Sequence, residues 1–149
     1  MKPVTHSSRP SAPKTNTFVR EIKIDAPVPA DAQPWMGAKP DVARLLAPDA
    51  PPGAATMAPG APWAVCVTQA PGTQYLYASD AFPGRIYKLT LDGKLLGTIG
   101  KTGHQLKQFG WIHEIACPSE NEIYVAELLN WRVQKLLLKP AGTKSTAAQ

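Results

Sequence analysis

Few residues in this chain are placed to do chemistry, and the first of them is the dipeptide His113-Glu114. An imidazole beside a carboxylate is the usual material of a metal ligand or a general base. Successive residues of a strand point to opposite faces, however, so the two would act on one substrate only at a strand's mouth. His113, Glu114 and Trp63 are the candidate binding residues, and His113 is the candidate metal ligand. The pairs Asp80/Arg85 and Glu127/Arg132 stand at the ends of two matching corners, where each can meet across a hairpin. Because the pairing recurs, it is read as structural. Cys66 and Cys117 fall inside predicted strands without Cys-x-x-Cys spacing, and buried free thiols are expected in preference to a disulfide. No Gly-x-Ser-x-Gly elbow, phosphate loop or His-Glu-x-x-His motif occurs. No catalytic residue is assigned.

The elements that must position these residues come from a repeat. Tyr75-Leu-Tyr-Ala-Ser-Asp-Ala-Phe-Pro-Gly-Arg-Ile-Tyr-Lys-Leu89 returns, 47 positions later, as Glu122-Ile-Tyr-Val-Ala-Glu-Leu-Leu-Asn-Trp-Arg-Val-Gln-Lys-Leu136. At that single offset Tyr77 meets Tyr124, Asp80 meets Glu127, Arg85 meets Arg132 and Lys88 meets Lys135. A period of about four short strands predicts propeller blades. The expected fold is all-β: a partial propeller of about two four-stranded antiparallel blades, preceded by an irregular Pro/Ala-rich segment. Strands are predicted at 63–68, 76–79, 85–91 and 94–99, with Asp92-Gly93 as a tight turn, and again at 111–117, 123–127 and 131–138. No fourth strand follows the last of these, because a polar tail begins there. Tyr77, Tyr87 and Tyr124 are expected on half-buried strand faces, and Lys88 and Lys135 in solvent.

Of the 16 prolines, 12 lie in residues 1–62, which therefore cannot supply many ladder donors. The division is a disordered tail over 1–17, an edge strand plus linker over 18–61, blades over 62–100 and 108–139, and a second disordered tail over 140–149. Residues 18–25 either complete the last blade or belong to a preceding one. A single helical turn is predicted near residues 40–46, where Pro40 and Asp41 precede Val42, Leu45 and Leu46. Trp35 and Met36 are candidates to pin the linker down.

The net charge of +5 is spread without a dense basic block, a pattern of solubility more than of nucleic-acid binding. The N-terminus lacks the apolar run of a secretory signal, and charge, Pro or Gly interrupts every apolar run well short of a membrane span. The compartment is not legible.

Ile-Tyr-Val-Ala-Glu127 and Asn-Trp-Arg-Val-Gln-Lys-Leu136, entered through Gln108-Phe-Gly-Trp-Ile-His-Glu-Ile-Ala-Cys117, resemble the NHL repeat, whose units form six-bladed β-propellers. The likeness covers about residues 62–139 and is weaker in the first copy, where Pro83 replaces the Asn matching Asn130. Because the propeller repeat carries no complete set of chemical groups, the leading expectation is a non-catalytic binding or scaffold module for a protein, peptide or small ligand. A relative of this class, the peptidyl-hydroxyglycine amidating lyase, holds pore-facing zinc with histidines. The matching position here is His113, and Val65 is its counterpart in the first blade when Trp63 is aligned with Trp111. A metal-dependent lyase or hydrolase is thus the alternative function, with zinc or calcium bound only in a complete propeller. Some NHL propellers bind RNA, which gives a third reading. Two blades leave apolar faces open, so missing blades or self-association, such as three chains forming six blades, is expected to cover them.

Overall fold

The structure is a computed structural model, and it describes residues 17–138. Among these residues a four-residue helix α1 (Val42–Leu45) and a 3-10 turn (Ala54–Met57) precede nine strands. β1 (Val65–Val67), β2 (Tyr75–Ser79), β3 (Ile86–Thr90) and β4 (Leu95–Ile99) form an antiparallel sheet in that order. A parallel pair, β5 (Lys101–Thr102) with β6 (Gln108–Phe109), carries the chain to a second antiparallel sheet. It consists of β7 (Ile112–Ser119), β8 (Glu122–Glu127) and β9 (Arg132–Leu137). The fold is all-β in class. The second sheet has three strands, one fewer than the first.

Local chemistry accounts for the elements. β2 and β3 are rich in Tyr, Ile and Leu and pair without interruption from Tyr75↔Thr90 to Ser79↔Ile86. Between β3 and β4, Gly93 takes φ +98°, which a side chain would resist. The Thr90 and Lys94 backbones close the turn around it. At α1 the Asp41 carboxylate caps the helix by accepting from the Arg44 N–H at 3.2 Å.

The period-two alternation of strands decides what each face buries. One face of the first sheet presents Tyr77 and Ile86 to Ile112, Ile115, Cys117, Ile123, Val125 and Leu136 of the second. The two sheets thus share one core. The other face of the first sheet presents Ala78, Tyr87 and Leu89 to Ile22, Ile24 and Ala26. Residues 18–25 are therefore not an edge strand. They carry no ladder and cross the first sheet as an extended strap, because their imperfect apolar spacing seats Ile22 and Ile24 on a sheet face. They do not supply the second sheet's missing strand. A head-to-tail ring of copies would need the face that this strap occupies.

The strap continues along the structure's rim. The Trp35 ring packs, tilted by 54°, against His104 with ring centroids 3.8 Å apart, and farther on Gly60 donates its N–H to Asp80 at 3.0 Å. A Cβ built on Gly60 would stand 2.3 Å from the Ile24 carbonyl oxygen, and its φ is +79°. Gly60→Ala is expected to lower stability by about 2 kcal/mol. A shift of the urea midpoint reads this, and an unchanged midpoint would show that the strap does not hold this place.

Cys66 on β1 and Cys117 on β7 form a disulfide, with Cα atoms 6.0 Å apart. This overturns the expectation of free thiols. Each residue was read within its own strand, whereas the packing of the two sheets sets β1 beside β7. The expected tails at 1–17 and 140–149 lie outside the described residues, apart from Thr17. No helix among the described residues is long and apolar enough to cross a membrane.

Candidate functional site: two carboxylate corners and an aromatic pair

Each sheet has a buried carboxylate at its β2–β3 or β8–β9 corner. Glu127 is saturated with donors. Its oxygens accept from Arg132 Nε at 2.7 Å, Gln134 Nε2 at 2.6 Å, the Gly110 N–H at 2.8 Å and Asn130 Nδ2. The guanidinium of Arg132 reaches on to the carbonyls of His104, Gln105 and Gln108, at 2.7, 2.9 and 3.0 Å. It grips the connection that enters its own sheet. Burial pushes the pKa of Glu127 up, but the donors from Arg132, Asn130, Gln134 and Gly110 together outweigh it, so its pKa lies below the ordinary 4.5.

The first corner does the same work with shorter parts. Asp80 accepts from the N–H groups of Gly60 and Arg85, at 3.0 and 2.8 Å, and from the Tyr87 hydroxyl. Arg85 grips the strap, donating to the Pro27 carbonyl at 2.7 Å. The guanidinium does not touch Asp80. One methylene shorter than Glu, the aspartate is joined to it through Tyr87, whose hydroxyl accepts from Arg85 Nη2 at 2.9 Å. Tyr87 and Gln134 are 47 positions apart, so the bridging residue was visible in the repeat though its role was not. Pro83, standing where Asn130 stands, offers no donor. With fewer donors, burial dominates and raises the pKa of Asp80. Burial and the neighbouring Asp80 raise that of Tyr87.

Tyr77 and Lys88 join the two sheets, whereas Tyr124 and Lys135 bond Glu122 within the second. Tyr77 is fully buried and donates its hydroxyl to the Glu120 carbonyl at 2.7 Å, and burial raises its pKa to about 12. Lys88 is partly covered, whereas Lys135 is exposed as expected, and both are paired. Lys88 pairs with Glu120 at 2.7 Å, and Lys135 with Glu122 at 3.0 Å.

Trp63 and Trp111 meet edge to face with centroids 4.8 Å apart, and Trp63 donates its indole N–H to the Thr56 carbonyl at 3.2 Å. His113 and Glu114 are exposed beside them in sequence, and a Glu114 oxygen accepts the N–H of Ile115. The ladders correct the alignment of the two sheets. Val65 pairs with Ala78 as Ile115 pairs with Val125, so the counterpart of His113 is Trp63 and not Val65. The longer turn over 69–74 shifts the first strand by three positions. Among the described residues, no group of three or more His, Cys, Asp or Glu side chains is gathered as a metal site.

A pocket of about 230 Å³ lies between the strap and the first corner, with Asp31, Gln33, Arg85, Lys101 and Thr102 among its walls. No protein-family model matches the chain, and no curated protein matches it significantly.

Proposed function

We propose that this chain is a two-blade part of an NHL-type β-propeller and serves as a non-catalytic binding module for a protein or peptide. One observation carries the reading: at both corners the buried carboxylate and its arginine are engaged in holding the incoming chain. Their donors and acceptors are turned to the protein itself. That is the behaviour of a scaffold repeat, and the repetition at 47 residues fits a blade. The ligand surface in this reading is the start of the two matching strands β1 and β7. There Trp63 is partly exposed and His113 and Glu114 are exposed. Aromatic anchors of this kind dominate peptide contacts.

Selection of a random peptide library on the full chain tests it. Enriched peptides should lose at least about tenfold in affinity with Trp63→Ala. Peptides indifferent to Trp63, or none enriched, would remove the reading. The zinc-lyase alternative is separated by a zinc titration: stoichiometric binding abolished by His113→Ala would favour it. Salt-dependent capture of single-stranded RNA would favour the third reading.

A further inference from the structure

We infer that the edge of β9, unpaired among the described residues, is a pairing site for the β9 edge of a second copy of this chain, giving a two-fold dimer with a continuous six-stranded sheet. The Leu138 N–H donates to the Asn121 carbonyl, and pairing alternates along β9 from that point. Even-numbered residues therefore bond β8. The N–H and C=O groups of Val133, Lys135 and Leu137 face outward. In the first sheet the corresponding groups belong to β3 and are taken by β4.

Edges that should stay single carry protection, such as a bulge, a glycine or an outward charge. β4 has it: the β3–β4 register shifts between Lys88 and Leu89, and Gly97 and Thr98 occupy its exposed middle. β9 does not. Its register with β8 is unbroken over six residues, and Val133 and Leu137 are 65% and 71% exposed. Of its two charges, Arg132 is held by Glu127 at the corner, and Lys135, half-exposed, is drawn back onto its own sheet by Glu122 and lies over the Tyr124 ring at 5.3 Å.

Trp131 is an independent sign. It stands where the first corner has Gly84, and it holds a left-handed φ of +49° that a glycine would take more readily. It is 93% exposed. A strained backbone that presents an indole to solvent is repaid by no burial among the described residues, and it lies at the end of the open strand.

Charge selects the register. A two-fold axis at Lys135 would set that lysine against its own copy. An axis at Gln134 sets Val133 opposite the partner's Lys135, and Trp131 opposite the partner's Leu137, and it uses the whole strand. Two identical edges meeting this way close on themselves, as an isologous interface requires.

Sedimentation equilibrium of the full chain should give twice the 16.0 kDa chain mass at about 50 µM. Val133→Lys places a lysine against each Lys135 and should weaken the dimer at least about tenfold, whereas Val133→Glu should keep it. Trp131→Gly, which relieves the backbone, should weaken it with an unchanged far-ultraviolet circular dichroism spectrum. A folded monomer or a trimer at that concentration overturns the inference. So does equal weakening by the two Val133 variants, because the pairing would then not follow this register.

Discussion

Glu127→Ala is expected to cost about 3–5 kcal/mol, most of the stability of a small domain. The substitution leaves the N–H of Gly110, the guanidinium of Arg132 and the amides of Asn130 and Gln134 without their common acceptor, at a buried position. A urea titration should show the midpoint fall, or no folded baseline at all. Glu127→Gln supplies the milder test, because it keeps the shape while removing the charge. The folded-state pKa of Glu127 lies below 4.5, so its contribution is fully present above that value and is lost as pH falls through the folded pKa. The Gln variant should lack this acid-side loss. Asp80 has the opposite sign: its pKa is raised above the ordinary 3.8, so the stability tied to its neutral form is lost as pH rises. Asp80→Asn should therefore cost much less than Glu127→Gln at neutral pH. Equal costs would mean that the two corners are not electrostatically distinct.

Removal of the Cys66–Cys117 bridge should be the other large effect. The bridge spans 51 positions, and closing a loop of that length restricts the unfolded chain by about 4 kcal/mol. Alanine at both positions avoids leaving a buried hydroxyl. The double variant, or the wild type with reductant, should unfold at clearly lower urea than the oxidised protein. Coincident midpoints would mean that the bridge contributes nothing to the folded state. A bond of this kind persists in oxidising compartments, so the expectation applies to the protein as it would be found there.

The hairpins were legible because their information is local. The offset of 47 residues, the Asp92-Gly93 turn and the Asp41 cap each depend on neighbours in sequence, and β2, β3, β8 and β9 follow from them. What escaped reading depends on what lies across a sheet. Nothing in Phe18–Asp25 tells whether its isoleucines pair in a ladder or rest on a face, since both bury the same side chains. The disulfide required knowing that β1 and β7 are neighbours. At the first corner, the loss of one methylene between Glu127 and Asp80 turned a direct ion pair into one relayed through Tyr87, and charge pattern does not show length. The match of Trp63 with His113 was hidden by the turn over 69–74, because an insertion displaces a strand without changing its composition.

The two arginine grips differ in how far along the chain they reach. Arg132 holds carbonyls 24 to 28 positions away, but Arg85 holds those of Ala26 and Pro27, 59 and 58 positions away. The strap can settle only on a first sheet that already exists, since its partners Tyr87 and Leu89 come from β3. It is therefore expected to dock after that sheet has formed and to leave before the sheet comes apart. Such an opening would bare one side of the first sheet while both ladders stay intact, and amides exchanging fastest with solvent would map to its backbone.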